Sequence, residues 1–147
     1  MGGQAESLIE QAIKAFQNRD SELALTIVEA DRKIDALEAE VHEYSVRLLA
    51  LRQPMAADLR HIVAAIRIAP DLERIGDYAK NMARRTIALD QLPPVRAAFR
   101  IPRIARLAQR MLKDVLDAYS AGDLVKAHDV WQRDAEIDDL YDSMFRE

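Results

Sequence analysis

The sequence predicts an all-α protein, with long antiparallel helices arranged as tandem three-helix bundles of which the second is incomplete. The 4 Gly and 5 Pro are clustered, and between them lie long stretches of Ala, Leu, Glu, Arg and Lys, which favour helix. Apolar residues in those stretches recur at helical spacing. Sliding the chain along itself by 103 residues aligns 5–44 with 108–147 without a gap, so one helical unit is repeated.

A short first helix is expected over about 4–18. The second, over 20–52, carries Leu23, Ile27, Ala30, Ile34, Leu37, Val41, Tyr44, Leu48 and Leu51 alternately four and three apart, a heptad seam sustained over four repeats. Asp20 fits its N-cap and Glu22 its first turn; Pro54 stops it, because the residue before a proline is pushed out of helical dihedrals. At 1.5 Å per residue this helix is about 50 Å long. The third, over 54–90, starts at Pro54, which suits a first turn, and ends before Pro93-Pro94. Its seam of Met55, Leu59, Ile62, Ile66 and Ala69 changes step at Leu72, beside Pro70, where a kink is expected. A fourth helix over 103–121 and a fifth over 123–146 follow, turned by Gly122-Asp123. Residues 1–91 thus read as a first three-helix repeat, 92–102 as a linker and 103–147 as a partial second repeat.

Eight of the 40 aligned positions are identical, among them Asp20/Asp123, Asp31/Asp134, Ile34/Ile137 and Asp35/Asp138, so both turn signals fall in register. Nothing after Glu147 matches 45–91, and the chain reads as a fragment or truncated form of a two-bundle protein. The seams of Ile104, Ala108, Met111 and Val115, and of Val130, Ile137, Leu140 and Met144, then lack a third partner. Segment 101–147 is expected to dock on the first bundle, to pair with another copy in a homodimer, or to be the most mobile part of the chain.

Composition narrows the function. At 147 residues and 50% apolar, the chain can bury a sizeable core. Its formal net charge of -4 argues against a broad nucleic-acid footprint, and the absence of Cys removes disulfides, thiolate metal sites and cysteine nucleophiles. No apolar run approaches the roughly 20 residues that span a bilayer, so a cytoplasmic protein is expected.

Asp31, Asp35 and Glu38, continuing to His42, line one face of the second helix; Glu73, Asp77 and Asn81 make a similar row on the third. Acids four apart repel unless neutralised. Two such rows on facing helices can gather four carboxylates around hard cations, for which oxygen ligands are apt. The plainer alternative is a solvated face paired with Arg32, Lys33 or Arg74. Recurrence of the pair as Asp134 and Asp138 brings the metal reading level with that alternative, and spacing alone goes no further. Between Asp90 and Asp114 there is no acid, and Arg103, Arg106, Arg110 and Lys113 form a basic stripe where positive charge opposes the helix dipole. It is either a solvated face or a contact for an acidic partner or membrane surface.

Three ordered segments, EADRKIDALE (29–38), LRQPMAADLR (51–60) and DLERIGDYAKN (71–81), closely resemble the hallmark motifs of the PhoU family of phosphate-transport regulators. The resemblance covers the whole chain and implies two tandem three-helix bundles. It also implies metal clusters (iron, zinc, manganese or magnesium) on Asp31, Asp35, Glu73 and Asp77 in the first repeat and on Asp134 and Asp138 in the second, with no organic cofactor; Glu38 and Asn81, which continue the two rows, are candidates for additional ligands by their spacing. The sixth-helix acids are absent, so the second site would be at most half built. The implied function is restraint of phosphate uptake and phosphate-starvation signalling, without turnover, by contact with the ATPase of the phosphate ABC transporter and with a membrane sensor histidine kinase. Membrane association would be indirect.

Two rival readings remain. A carboxylate-bridged di-iron enzyme would want two E-x-x-H helices, and the nearest match, Asp58-x-x-His61, occurs once. An inert helical adaptor would carry the acids for solubility alone.

Overall fold

The computed structural model describes residues 1–93 and 99–145, and every regular element among them is a helix. α1 spans Gly2–Asn18, α2 Ser21–Arg52, α3 Ala56–Asp90, α4 Ile101–Ala121, α5 Leu124–Gln132 and α6 Asp134–Phe145. Pro94, most of the expected linker, the side chain of Met144 and residues 146–147 lie outside the described residues.

The turn between α1 and α2 shows how closely sequence dictates backbone. Arg19 adopts a left-handed φ of 54°, and the amide of Asp20 reaches back to the carbonyl of Ala15 at 2.9 Å, closing α1 in a Schellman turn. The Asp20 carboxylate then accepts from the amide of Leu23 and opens α2. The Arg19 guanidinium donates to the carbonyls of Leu89 and Leu92, so the same residue also satisfies the end of α3. Between α4 and α5 the arrangement recurs: Gly122 is left-handed, the Asp123 amide reaches the carbonyl of Ala118 at 2.9 Å, and the Asp123 carboxylate accepts from Lys126. The repeat offset is therefore written into matching hydrogen bonds.

Small side chains bring the helices together. Ala5, Leu8, Ala12 and Ala15 of α1 meet Ala24, Ile27 and Ile34 of α2 and Leu72, Ala79 and Ala83 of α3 in one buried cluster. α4 joins it through Leu112, with Leu116 packed alongside, so the second repeat docks on the first bundle through α1. Pro102 lies in the first turn of α4 and is buried. α3 runs through Pro70 as a single helix.

Three expectations need correction. The far end of the α2 seam is not core: Tyr44 is 62% and Leu51 73% exposed, as is Met55 on the other side of the turn, because the 17-residue α1 is too short to cover the 32-residue α2. Pro54 is outside α3, whose N-cap is Met55. The expected fifth helix is two. At Arg133 the backbone amide is shared between the carbonyls of Asp129 and Val130, and Glu136 bonds back only three residues, so the helix tightens and restarts as α6. The Arg133 side chain fixes that break by reaching across to Asp114 on α4 at 2.6 Å, with Lys126 also against Asp114.

Candidate functional site

The acid rows of α2 and α3 face each other, and their members differ sharply in setting. Asp31 is buried; Asp35 is exposed, and Glu38, Glu73 and Asp77 are partly covered. Gly76 permits the approach of the two helices. A Cβ there would lie 3.0 Å from Cδ1 of Ile34 and 3.1 Å from Oδ1 of Asp31.

At the centre stands a residue that the spacing argument missed. Nζ of Lys80 donates to Oδ2 of Asp31 on α2 and to Oδ1 of Asp77 one turn before it on α3. Both oxygens are therefore within about 5 Å of each other. The signals were in the sequence: Lys80 is three residues from Asp77, and Gly76 next to Asp77 is the one residue of α3 without a side chain.

The electrostatics follow from this arrangement. The hydrogen bond from Lys80, aided by its charge, holds the Asp77 carboxyl below its ordinary range. The bonds to Asp31 and then Asp77 raise the Lys80 ammonium. Glu73 moves the other way: burial first, then the charges of Asp77 and Asp35, push its carboxyl up, and a hydrogen bond with Asp77 and the charge of Asp31 add to the effect. Glu73 thus senses the acids of both helices. Oδ1 of Asp31 is buried without a hydrogen-bond partner.

The remaining candidates are dispersed. Asn81 is exposed, as are Asp134 and Asp138 on α6. In the basic stripe Arg106 donates to Gln17 of α1 and Lys113 pairs with Asp117, while Arg103 and Arg110 are exposed. Asp58 and His61 line a shallow cavity of about 360 Å³ near the α2–α3 turn with Leu48, Arg52, Pro54 and Ile62. His42 is exposed, and His128 stacks on Trp131.

This fold and these motifs have clear relatives. The PhoU domain family model matches residues 1–86 and 101–147. The chain belongs to the PhoU family. Curated PhoU relatives described as phosphate-specific transport system accessory protein homologues include one from Caulobacter vibrioides, 49% identical over all of this chain and 64% of its own length. Another, from Rhizobium meliloti, is 43% identical over all of this chain and 62% of its own. The chain therefore spans a little under two thirds of the length of these relatives. The crystal structure of PhoU from Pseudomonas aeruginosa superposes with a TM-score of 0.95 at 37% identity, covering 99% of this chain and 70% of that one. PhoU from Streptococcus pneumoniae gives 0.87 at 28% identity, covering 97% and 67%.

For the metal that PhoU motifs imply, the donor chemistry is right and the space is not. Carboxylate oxygens suit a hard cation, and the unbonded Oδ1 of Asp31 is a spare acceptor. Yet among the described residues no group of three or more His, Cys, Asp or Glu is placed to hold an ion, and the point between Asp31 and Asp77 is filled by Nζ of Lys80. As arranged here, the residues do not fit a bound metal.

Proposed function

We propose that this chain restrains phosphate uptake and phosphate-starvation signalling, acting in the cytoplasm as a homodimer and without turnover, by contact with the ATPase of the phosphate ABC transporter and with its membrane sensor histidine kinase. The observation that carries this reading is similarity along the whole chain to proteins named as accessories of the phosphate-specific transport system. A regulator of that kind needs surface rather than a reaction centre, because it reports its state through different affinities for a partner. The α2–α3 turn supplies such surface: Leu51, Met55 and Leu59 are 73%, 79% and 41% exposed at the end of two long helices. No described helix is long and apolar enough to cross a membrane, so contact with a membrane-bound partner would run through such faces.

The test is direct binding of the full chain to the purified transporter ATPase, with Leu51→Ser/Met55→Ser as the surface variant. Saturable binding that the variant weakens by about tenfold or more supports the reading. A chain that binds neither the ATPase nor the kinase, and fails to restrain phosphate uptake in cells lacking their own regulator, would leave the inert-adaptor reading in its place.

A further inference from the structure

The acidic cluster between α2 and α3 already contains a cation, and it is part of the chain. Lys80 donates to Asp31 at 2.5 Å and to Asp77, joining the two helices through one nitrogen. The lysine side chain is 18% exposed and that of Asp31 only 3%, so the pair is shielded from solvent. An ammonium is a compact point charge with three donors, and here it occupies the position where carboxylates from facing helices converge. That is the position a divalent ion would need.

A single positive charge does not complete this site. Asp31, Asp35 and Asp77 all lie near enough to Glu73 to raise its carboxyl, and Arg84 adds only a nearby charge beside Asp77. Oδ1 of Asp31 is buried, unbonded, and directed at the space left by Gly76. An orphan oxygen of this kind points to a site with more acceptor capacity than its resident donor uses.

We propose that Lys80 is the resident cation of the first-repeat acidic site: its ammonium holds the place of a divalent ion between Asp31 and Asp77, and the site takes up such an ion only when that ammonium is withdrawn. In the first repeat the acids are then neutralised by a lysine of the chain and not by a metal cluster. The inference does not depend on which partner the protein contacts.

Mn²⁺ titrated into metal-free full chain at neutral pH tests it, by calorimetry on the wild type, Lys80→Met and Lys80→Met/Asp31→Asn. Methionine keeps the apolar stem and removes the charge. Lys80→Met is expected to bind Mn²⁺ at least about tenfold more tightly than the wild type, and the added Asp31→Asn substitution to abolish the gain. Equal affinity in wild type and Lys80→Met would overturn the proposal. Should the variants not fold, paramagnetic broadening in the wild type decides. Selective loss of the Asp31, Glu73 and Asp77 amide signals at micromolar Mn²⁺ overturns it; the absence of selective loss there supports it.

Discussion

A methyl group added at Gly76 of α3 would sit 3.1 Å from Oδ1 of Asp31 on α2, and 3.0 Å from Cδ1 of Ile34. Neither neighbour has room to withdraw, since Asp31 is 2% and Ile34 0% exposed. At Gly76 the two long helices therefore pack tightly beside a buried carboxylate.

Gly76→Ala is expected to destabilise the chain. Alanine gains about 1 kcal/mol over glycine from helix propensity, while overpacking a rigid contact costs about 1 to 3 kcal/mol. The net loss should be about 1 kcal/mol, read from the midpoint of a denaturant titration. A more stable variant would mean that α2 and α3 can separate at no cost.

Lys80→Ala should be more severe, by roughly 3 to 5 kcal/mol, because it leaves Asp31 buried with no partner at either oxygen. Replacing both residues, as Lys80→Met/Asp31→Leu, should recover much of that loss. A double-mutant cycle in urea checks both.

Glu73 gives a pH signature with a definite sign. Its carboxyl is raised in the fold above the ordinary value of 4.5, so its contribution is favourable while it stays protonated and is lost as pH rises through the raised value. Asp77, lowered from 3.8, contributes above that value and loses its contribution as pH falls. Gln at position 73 keeps a donor toward Asp77 and carries no charge. Glu73→Gln should therefore gain stability over the wild type as pH rises from 4 toward 8. Denaturation curves across that range that run parallel for the two proteins would contradict it.

Asp20→Ala and Asp123→Ala should each cost about 1 kcal/mol, since each removes the acceptor for an otherwise unbonded helix-start amide. Thermal melts of the two single variants and the pair should show additive losses.

Arg133→Ala should loosen α6 specifically, because Arg133 ties the α5–α6 break to Asp114 of α4. Amide exchange should accelerate over 134–143 and stay unchanged in α2. Uniform exchange would show that the break is set by backbone preference instead.

What could be read from the sequence was mostly local. Asp20 and Asp123 announce helix starts because their carboxylates act within three residues, and the second copy of the turn followed from the first. The burial of Asp31 against the exposure of Asp35 was not legible: the two sit one turn apart with the same charge, and only the position of α3 distinguishes them. Lys80 lay in plain view at i+3 from Asp77, but its second partner is 49 residues away. The α5–α6 break escaped for the same reason, since its anchor, Asp114, belongs to another helix. Tyr44 and Leu51 kept perfect heptad spacing and still face solvent, because periodicity reports which face is apolar and not whether anything covers it.

The duplicated turn makes the molecule its own control experiment. Asp31 and Asp134 hold equivalent places after it, in the same chain, at the same temperature and in the same solvent. One is sealed against a lysine from the opposite helix, while the other opens the exposed first turn of α6, where its charge favours the helix end. The same carboxylate thus stands in two settings, and in the first it is a lysine on the facing helix that makes a buried charge tolerable.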